Sequence, residues 1–192
     1  MPLVVAGEDR ALARRLQRLT QQGKLRRIYA GVYTDDLVQP LESIVRREIF
    51  ALISLVASGS IISHRSALDG GRPTAAGSVF LTGSSRRDYS LPGVTLRMVQ
   101  GPGPLDSDIK VPTFLGDAFI SSQARALLEN LAASRGDPAE RRTLGKEEVE
   151  AWLDRFITRD VGNSINKLRD AARAIAEPLG MQEAFRQPTR QS

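Results

Sequence analysis

Between Arg10 and Thr34 the chain carries Arg10, Arg14, Arg15, Arg18, Lys24, Arg26 and Arg27, and no Asp or Glu. That stretch holds +7 against a net charge of +5 for all 192 residues, which leaves the remainder at −2. Cations gathered this densely are the electrostatic footprint of a polyanion binder, because each one that meets a phosphate releases a condensed counterion. A solvated basic helix gives the same count, so the charge has to be weighed with the elements that present it.

Other residues that could do chemistry are sparse. His64 is the only histidine and stands in "ISHRSAL", beside Ser63 and Ser66. A Ser–His pair can act as nucleophile and base. Neighbours in sequence rarely converge in that way, however, and no glycine-flanked nucleophile elbow is present. A structural or helix-capping histidine is the competing reading. One histidine and no cysteine are too few ligands for a catalytic zinc site. In "TGSSRRD", 82–88, a Gly-Ser pair precedes a carboxylate, an arrangement suited to nucleotidyl transfer, but Asp88 follows too closely and has no paired carboxylate. "DSD" at 106–108 has acidic residues for a metal but no strand to position them. Neither "GxxxxGK[ST]" nor "GxGxxG" occurs, and "GPGP" at 101–104 has prolines where a phosphate loop needs N–H donors. The expectation is a protein that is not an enzyme, with no catalytic residue, metal or cofactor.

The elements that would position the cations follow from periodicity. Leu12, Leu16 and Leu19 form a narrow apolar stripe, so 8–22 is expected to be helical, with Glu8 and Asp9 in its first turn and Gly23 as its stop. Residues 25–34 read as a hairpin turning at "YAG", where Gly31 supplies a positive φ. A helix-turn-helix places other helices before its recognition helix; here "PLVV" reads as a strand. Pro40 marks a boundary, and 41–57 reads as one helix with a broad apolar face. A strand at 60–62, a short helix from Ser63 or His64, and strands at 78–83 and 91–99 about a polar "SSRRD" tip come next. "DIKVP" and "AFIS" are short strands. Ser122 caps a helix with Ala124, Leu127, Leu128 and Leu131 inward. After the linker "RGDPAERRT", helices at 146–158 and 162–176 bury Val149, Trp152, Leu153, Phe156 and Ile157, then Ile165, Leu168, Ala172 and Ile175. Pro178 and Gly180 end the last helix, and "RQPTRQS" is a polar tail.

These readings add up to an α+β chain. Residues 1–36 form a basic helix-plus-wing unit, an abbreviated winged helix. Residues 37–133 form a mixed α/β domain, 134–181 a helical pair, and 182–192 a polar tail. A chain of this size buries enough surface to fold without staples. The absence of cysteine fits a reducing compartment. No apolar run approaches the roughly 20 residues of a spanning helix, and "MPLVVAGEDR" lacks the regions of a signal peptide. A cytoplasmic location and no membrane partner are expected.

The order of the motifs carries a resemblance. "RRLQRLTQQGKLRRIYAGVYT", "IISHRSAL", "VFLTG" and "FISSQARALLENL" resemble successive segments of AbiEi-type antitoxins of type IV toxin–antitoxin systems. The likeness covers most of residues 9–133. "LENLAASRG", "RTLGKEEVEAWLDRF" and "INKLRDAARAIAEPLG" resemble a variant that forms the N-terminal half of some Fic-family proteins, which extends it to about residue 181. The resemblance implies a non-catalytic antitoxin or transcriptional regulator that binds its own operator DNA through the winged helix. Its other partner would be a nucleotidyltransferase-like toxin or a Fic-type protein. Carried over by position, the nucleic-acid contacts are Arg14, Arg15, Arg18, Lys24, Arg26 and Arg27. The variant implies the alternative of a protein-interaction module related to Fic-family AMP-transferases. The motif "HPFxxGNGR" does not occur, so no AMP transfer by this chain is implied.

Overall fold

The protein is described by a computed structural model covering residues 3–132, 137, 140–159 and 164–182. The chain is α+β. In order, its elements are β1 (Leu3–Val5), α1 (Arg10–Gln21), β2 (Arg26–Tyr29), β3 (Val32–Thr34), α2 (Leu41–Arg47), α3 (Ile49–Val56), β4 (Ile61–Ile62) and α4 (His64–Leu68). They continue with β5 (Ser78–Gly83), β6 (Tyr89–Leu91), β7 (Val94–Gln100), β8 (Ile109–Thr113), β9 (Gly116–Ile120), α5 (Gln123–Leu131), α6 (Lys146–Arg159) and α7 (Ser164–Ala176). The described residues divide into two compact units. One holds those before Phe50 together with Ser90–Val94; the other holds Phe50–Tyr89 and those from Thr95 onward. No helix among the described residues is long and apolar enough to cross a membrane.

In the first unit the three-stranded sheet has the order β1-β3-β2, both pairings antiparallel. "LVV" is thus a true strand, with Val4 opposite Tyr33. Ala30 and Gly31 turn the β2–β3 hairpin, Gly31 at φ +75, where a side chain would be strained. Leu16 packs with Ala6, Leu25 and Tyr33, and Leu12 and Leu19 flank the cluster. The leucine stripe therefore lays α1 on the sheet. Glu8 and Asp9 lie outside the helix rather than in its first turn. Asp9 is the N-cap, its Oδ1 accepting from Ala11 N at 2.8 Å and Leu12 N at 3.1 Å. The expected single helix at 41–57 is two, α2 and α3, because Glu48 at φ −98, ψ 19 leaves the helical well.

The other sheet is mixed, of order β6-β7-β5-β4-β9-β8. The expected 78–83/91–99 hairpin is not one. β5 and β7 run parallel, Ser78 opposite Thr95 through Gly83 opposite Gln100. The chain first reverses through β6 and returns at Gly93, φ +68. β4 joins antiparallel β5 to parallel β9. Pro112 lies in β8 at the edge of the sheet, where a missing N–H is tolerated. Leu52, Ile53, Ile61, Ile62, Val79, Leu81 and Leu96 are sealed from solvent around this sheet. A second cluster joins Ala124 and Leu128 to Leu168, Ala172 and Ala176, with Trp152 stacked on Phe156 at 5.5 Å. Two residues expected inside are outside: Leu131 is 57% exposed and Ile165 49%. Both stand near helix ends, where the apolar stripe has run past its partner. Residues 135, 136, 138 and 139 of the 135–143 linker, the Ile157 side chain and the "RQPTRQS" tail lie outside the described residues.

Candidate nucleic-acid interface

The cation-rich segment owes its geometry to its apolar residues. With the leucines of α1 on the sheet, a step of 100° per residue turns Arg10, Arg14, Arg18 and Arg15 outward across an arc of about 140°. All four are exposed, as are Lys24 and Arg27. Among the described residues none of these six takes part in an ion pair. The helix ends where Gly23 N bonds Thr20 O at 3.0 Å and Lys24 N bonds Leu19 O at 2.9 Å, with Gly23 at φ +71. That closure sends Lys24 and β2 back along the helix.

The register separates the two arginines of the hairpin. Arg27 pairs with Tyr33, and Tyr33 packs under α1, so Arg27 lies on the sheet face that carries the helix. Arg26 pairs with Thr34 and lies on the other face. Its Nε donates to Asp36 O at 2.9 Å, and its Nη2 donates to Asp36 O and Gln39 O. Arg26 thus ties down the segment after the hairpin. Asp36 shapes the same turn: its Oδ1 accepts from Val38 N and Gln39 N, both at 2.9 Å. Those two bonds hold its carboxyl below the usual range, with the Arg26 charge adding to them. The structure therefore presents Arg14, Arg15, Arg18, Lys24 and Arg27 exposed, Arg27 with one Nε bond to Tyr29 O at 3.2 Å, and binds Arg26 to the carbonyls of Asp36 and Gln39.

The remaining candidates have structural employment. Asp88 accepts from Met98 N at 2.8 Å and pairs with Arg97 at 3.0 Å, so it fastens the segment before β6 to β7. Asp108 of "DSD" is buried; it accepts from Ser122 N and Leu105 N and pairs with Arg125 at 2.7 Å. Ser66 accepts from Phe80 N at 2.9 Å. His64 is buried at φ +52, its Nδ1 2.9 Å from Ser63 Oγ and its backbone N donating to Glu129 Oε2 at 2.9 Å.

Sequence reasoning missed the centre of this network, Arg125. It is wholly buried. Its Nε donates to Glu129 at 2.8 Å, Nη1 to Asp108 at 2.7 Å and Gly103 O at 2.8 Å, and Nη2 to Pro102 O at 2.7 Å. The irregular "GPGP" is thus held by one guanidinium. Gly103 also lies so close to Gly59 O that a Cβ would approach it to 2.9 Å. Burial pushes the Glu129 carboxyl up, and the bonds from His64 N, Arg125 and Ser121 oppose that rise. The signal in sequence was an Arg–Glu pair at i, i+4 on the flank of the Ala124–Leu128 stripe. No family model matches the sequence, and no curated protein is significantly similar to it.

Proposed function

We propose that the protein is a non-catalytic, antitoxin-like DNA-binding regulator, with α1 and the β2–β3 hairpin meeting the sugar–phosphate backbone of its own operator. One observation carries this reading. Arg14, Arg15, Arg18, Lys24 and Arg27 stand exposed and outside any ion pair among the described residues, on α1, at its end and on the helix-bearing face of the hairpin, while the leucines of the same helix fix it to the sheet. Exposed, unpaired guanidinium groups add little to stability, and their collective field is what steers a polyanion. Their placement on one helix and one β-ribbon suits the sugar–phosphate contacts that set the register of a protein on a duplex. The antitoxin role rests on the order of motifs from "RRLQRLTQQGKLRRIYAGVYT" to "FISSQARALLENL". In this reading Arg26 positions the hairpin and does not touch phosphate.

The test is equilibrium binding to the duplex immediately upstream of the protein's own gene and to a shuffled duplex, both at low salt. Tighter binding to the native duplex is expected. An absence of binding to either duplex contradicts DNA binding, and equal binding contradicts operator recognition.

A further inference from the structure

A polar cleft of about 220 Å³ opens in the second unit and is lined by His64, Thr82, Gln100, Arg125, Glu129 and Arg142 among others. Its charges are unevenly satisfied. Arg125 makes four hydrogen bonds to carboxylates and carbonyls. Glu129, the one carboxylate lining the cleft, already accepts from Arg125, His64 N and Ser121 Oγ. Nothing remains for Arg142. Among the described residues its buried Nε has no hydrogen-bond partner and its guanidinium no ion pair. A buried donor left unmade is costly, which leaves the Arg142 guanidinium ready to take a partner.

His64 supplies a second donor. Among the described residues it is the one non-glycine at positive φ, a strain that accumulates at sites of function. Thr82 Oγ1 donates to Ser63 Oγ at 2.8 Å, so the Ser63 hydroxyl hydrogen is available to His64 Nδ1. An Nδ1 that accepts leaves the proton on Nε2, which has no hydrogen-bond partner among the described residues. Burial, and then the Arg142 and Arg125 charges, hold the imidazole down to about 4, so it is neutral at pH 7 and keeps that tautomer. Two N–H donors, one of them cationic, with no free carboxylate beside them, are complementary to an anion and not to a metal.

We propose that this cleft binds a small oxyanion, a phosphoryl or carboxylate group, between Arg142 and His64. The volume suits such a group with a short substituent and is below that of a drug-sized pocket. Val99, Leu179 and Met181 line the same cleft and would face the substituent. This site is independent of the nucleic-acid interface, so either can fail without the other.

Because His64 is the only histidine, the tag-free protein has a single side-chain imidazole to follow by NMR. The experiment titrates inorganic phosphate and, separately, acetate into the full chain, with chloride at matched ionic strength as the control. A saturable shift of the His64 ring signals with phosphate or acetate, absent with chloride, is expected; which anion binds tighter identifies the group. Arg142→Gln should weaken binding about tenfold or more while the backbone amide spectrum stays folded. His64→Asn, which tolerates positive φ, should weaken phosphate or acetate binding measured by calorimetry. A shift that chloride reproduces, no saturable shift at all, or unchanged affinity in a folded Arg142→Gln protein overturns the proposal.

Discussion

The two units use arginine in opposite ways. On α1, Arg14, Arg15 and Arg18 stand in solvent without ion pairs, and the helix is held by its leucines. On α5, Arg125 has no exposed surface, and its guanidinium ties together Asp108, Glu129 and the carbonyls of Pro102 and Gly103. The difference shows that a cation's role follows from what surrounds it. The α1 arginines can change without disturbing the fold and are available to a ligand. Arg125 cannot change without leaving two carboxylates short of their partner.

The largest expected effect comes from breaking that contrast at Arg125. Arg125→Met should destabilise the second unit by about 3–5 kcal/mol, because Asp108 and Glu129 would remain buried without their countercharge. Urea unfolding measures it, and a loss below about 1 kcal/mol would place Arg125 with the arginines of α1.

Acid attacks the same network from another side. The folded His64 titrates at about 4 against 6.5 for the free side chain. A histidine depressed on folding binds its proton more readily when unfolded. Its contribution is therefore intact above pH 6.5, erodes between 6.5 and 4, and is gone below. The full loss amounts to about 3 kcal/mol. Arg142, Arg125 and Glu129 line the same cleft as the imidazole, so the measurement is the difference in pH-dependent unfolding between the native protein and His64→Asn. Equal slopes for the two across that window would contradict the assignment.

A smaller effect separates Arg26 from its neighbour. Arg26→Ala should cost about 1–2 kcal/mol by releasing Asp36 O and Gln39 O, whereas Arg27→Ala should change stability by less than about 0.5 kcal/mol. If the two losses were equal, the register argument that sets these residues on opposite faces of the hairpin would be wrong. Smallest of all, Arg14→Glu with Arg18→Glu should leave the unfolding midpoint nearly unchanged.

Much of this fold could be read from local pattern. The leucine stripe, Gly23 and Gly31 placed α1 and the hairpin because each reflects a short-range constraint: a helical period, a helix stop, a positive φ. The Ser122 cap was legible for the same reason. What escaped was long-range. Nothing between Ser78 and Val99 announces that β5 and β7 run parallel, since alternation fixes which face is buried but not which strand lies beside it. The break at Glu48 interrupts a pattern that is continuous in sequence. Arg125 was hidden because its partners, from Pro102 to Asp108, lie about 20 residues away in a stretch that looked like an unstructured loop. The six basic candidates were visible as charge; that Arg26 is bound to backbone carbonyls depends on hairpin register and not on composition.

In the proposed function the exposed arginines of the first unit meet phosphates, and the salt dependence of DNA binding is the sharpest check on those contacts. With contacts from Arg14, Arg15, Arg18, Lys24 and Arg27, log K for the upstream duplex should fall against log salt with a slope of about −4 to −5. Arg14→Glu with Arg18→Glu should flatten that slope by about 2. A slope near zero, or one that the double reversal leaves unchanged, would contradict the account.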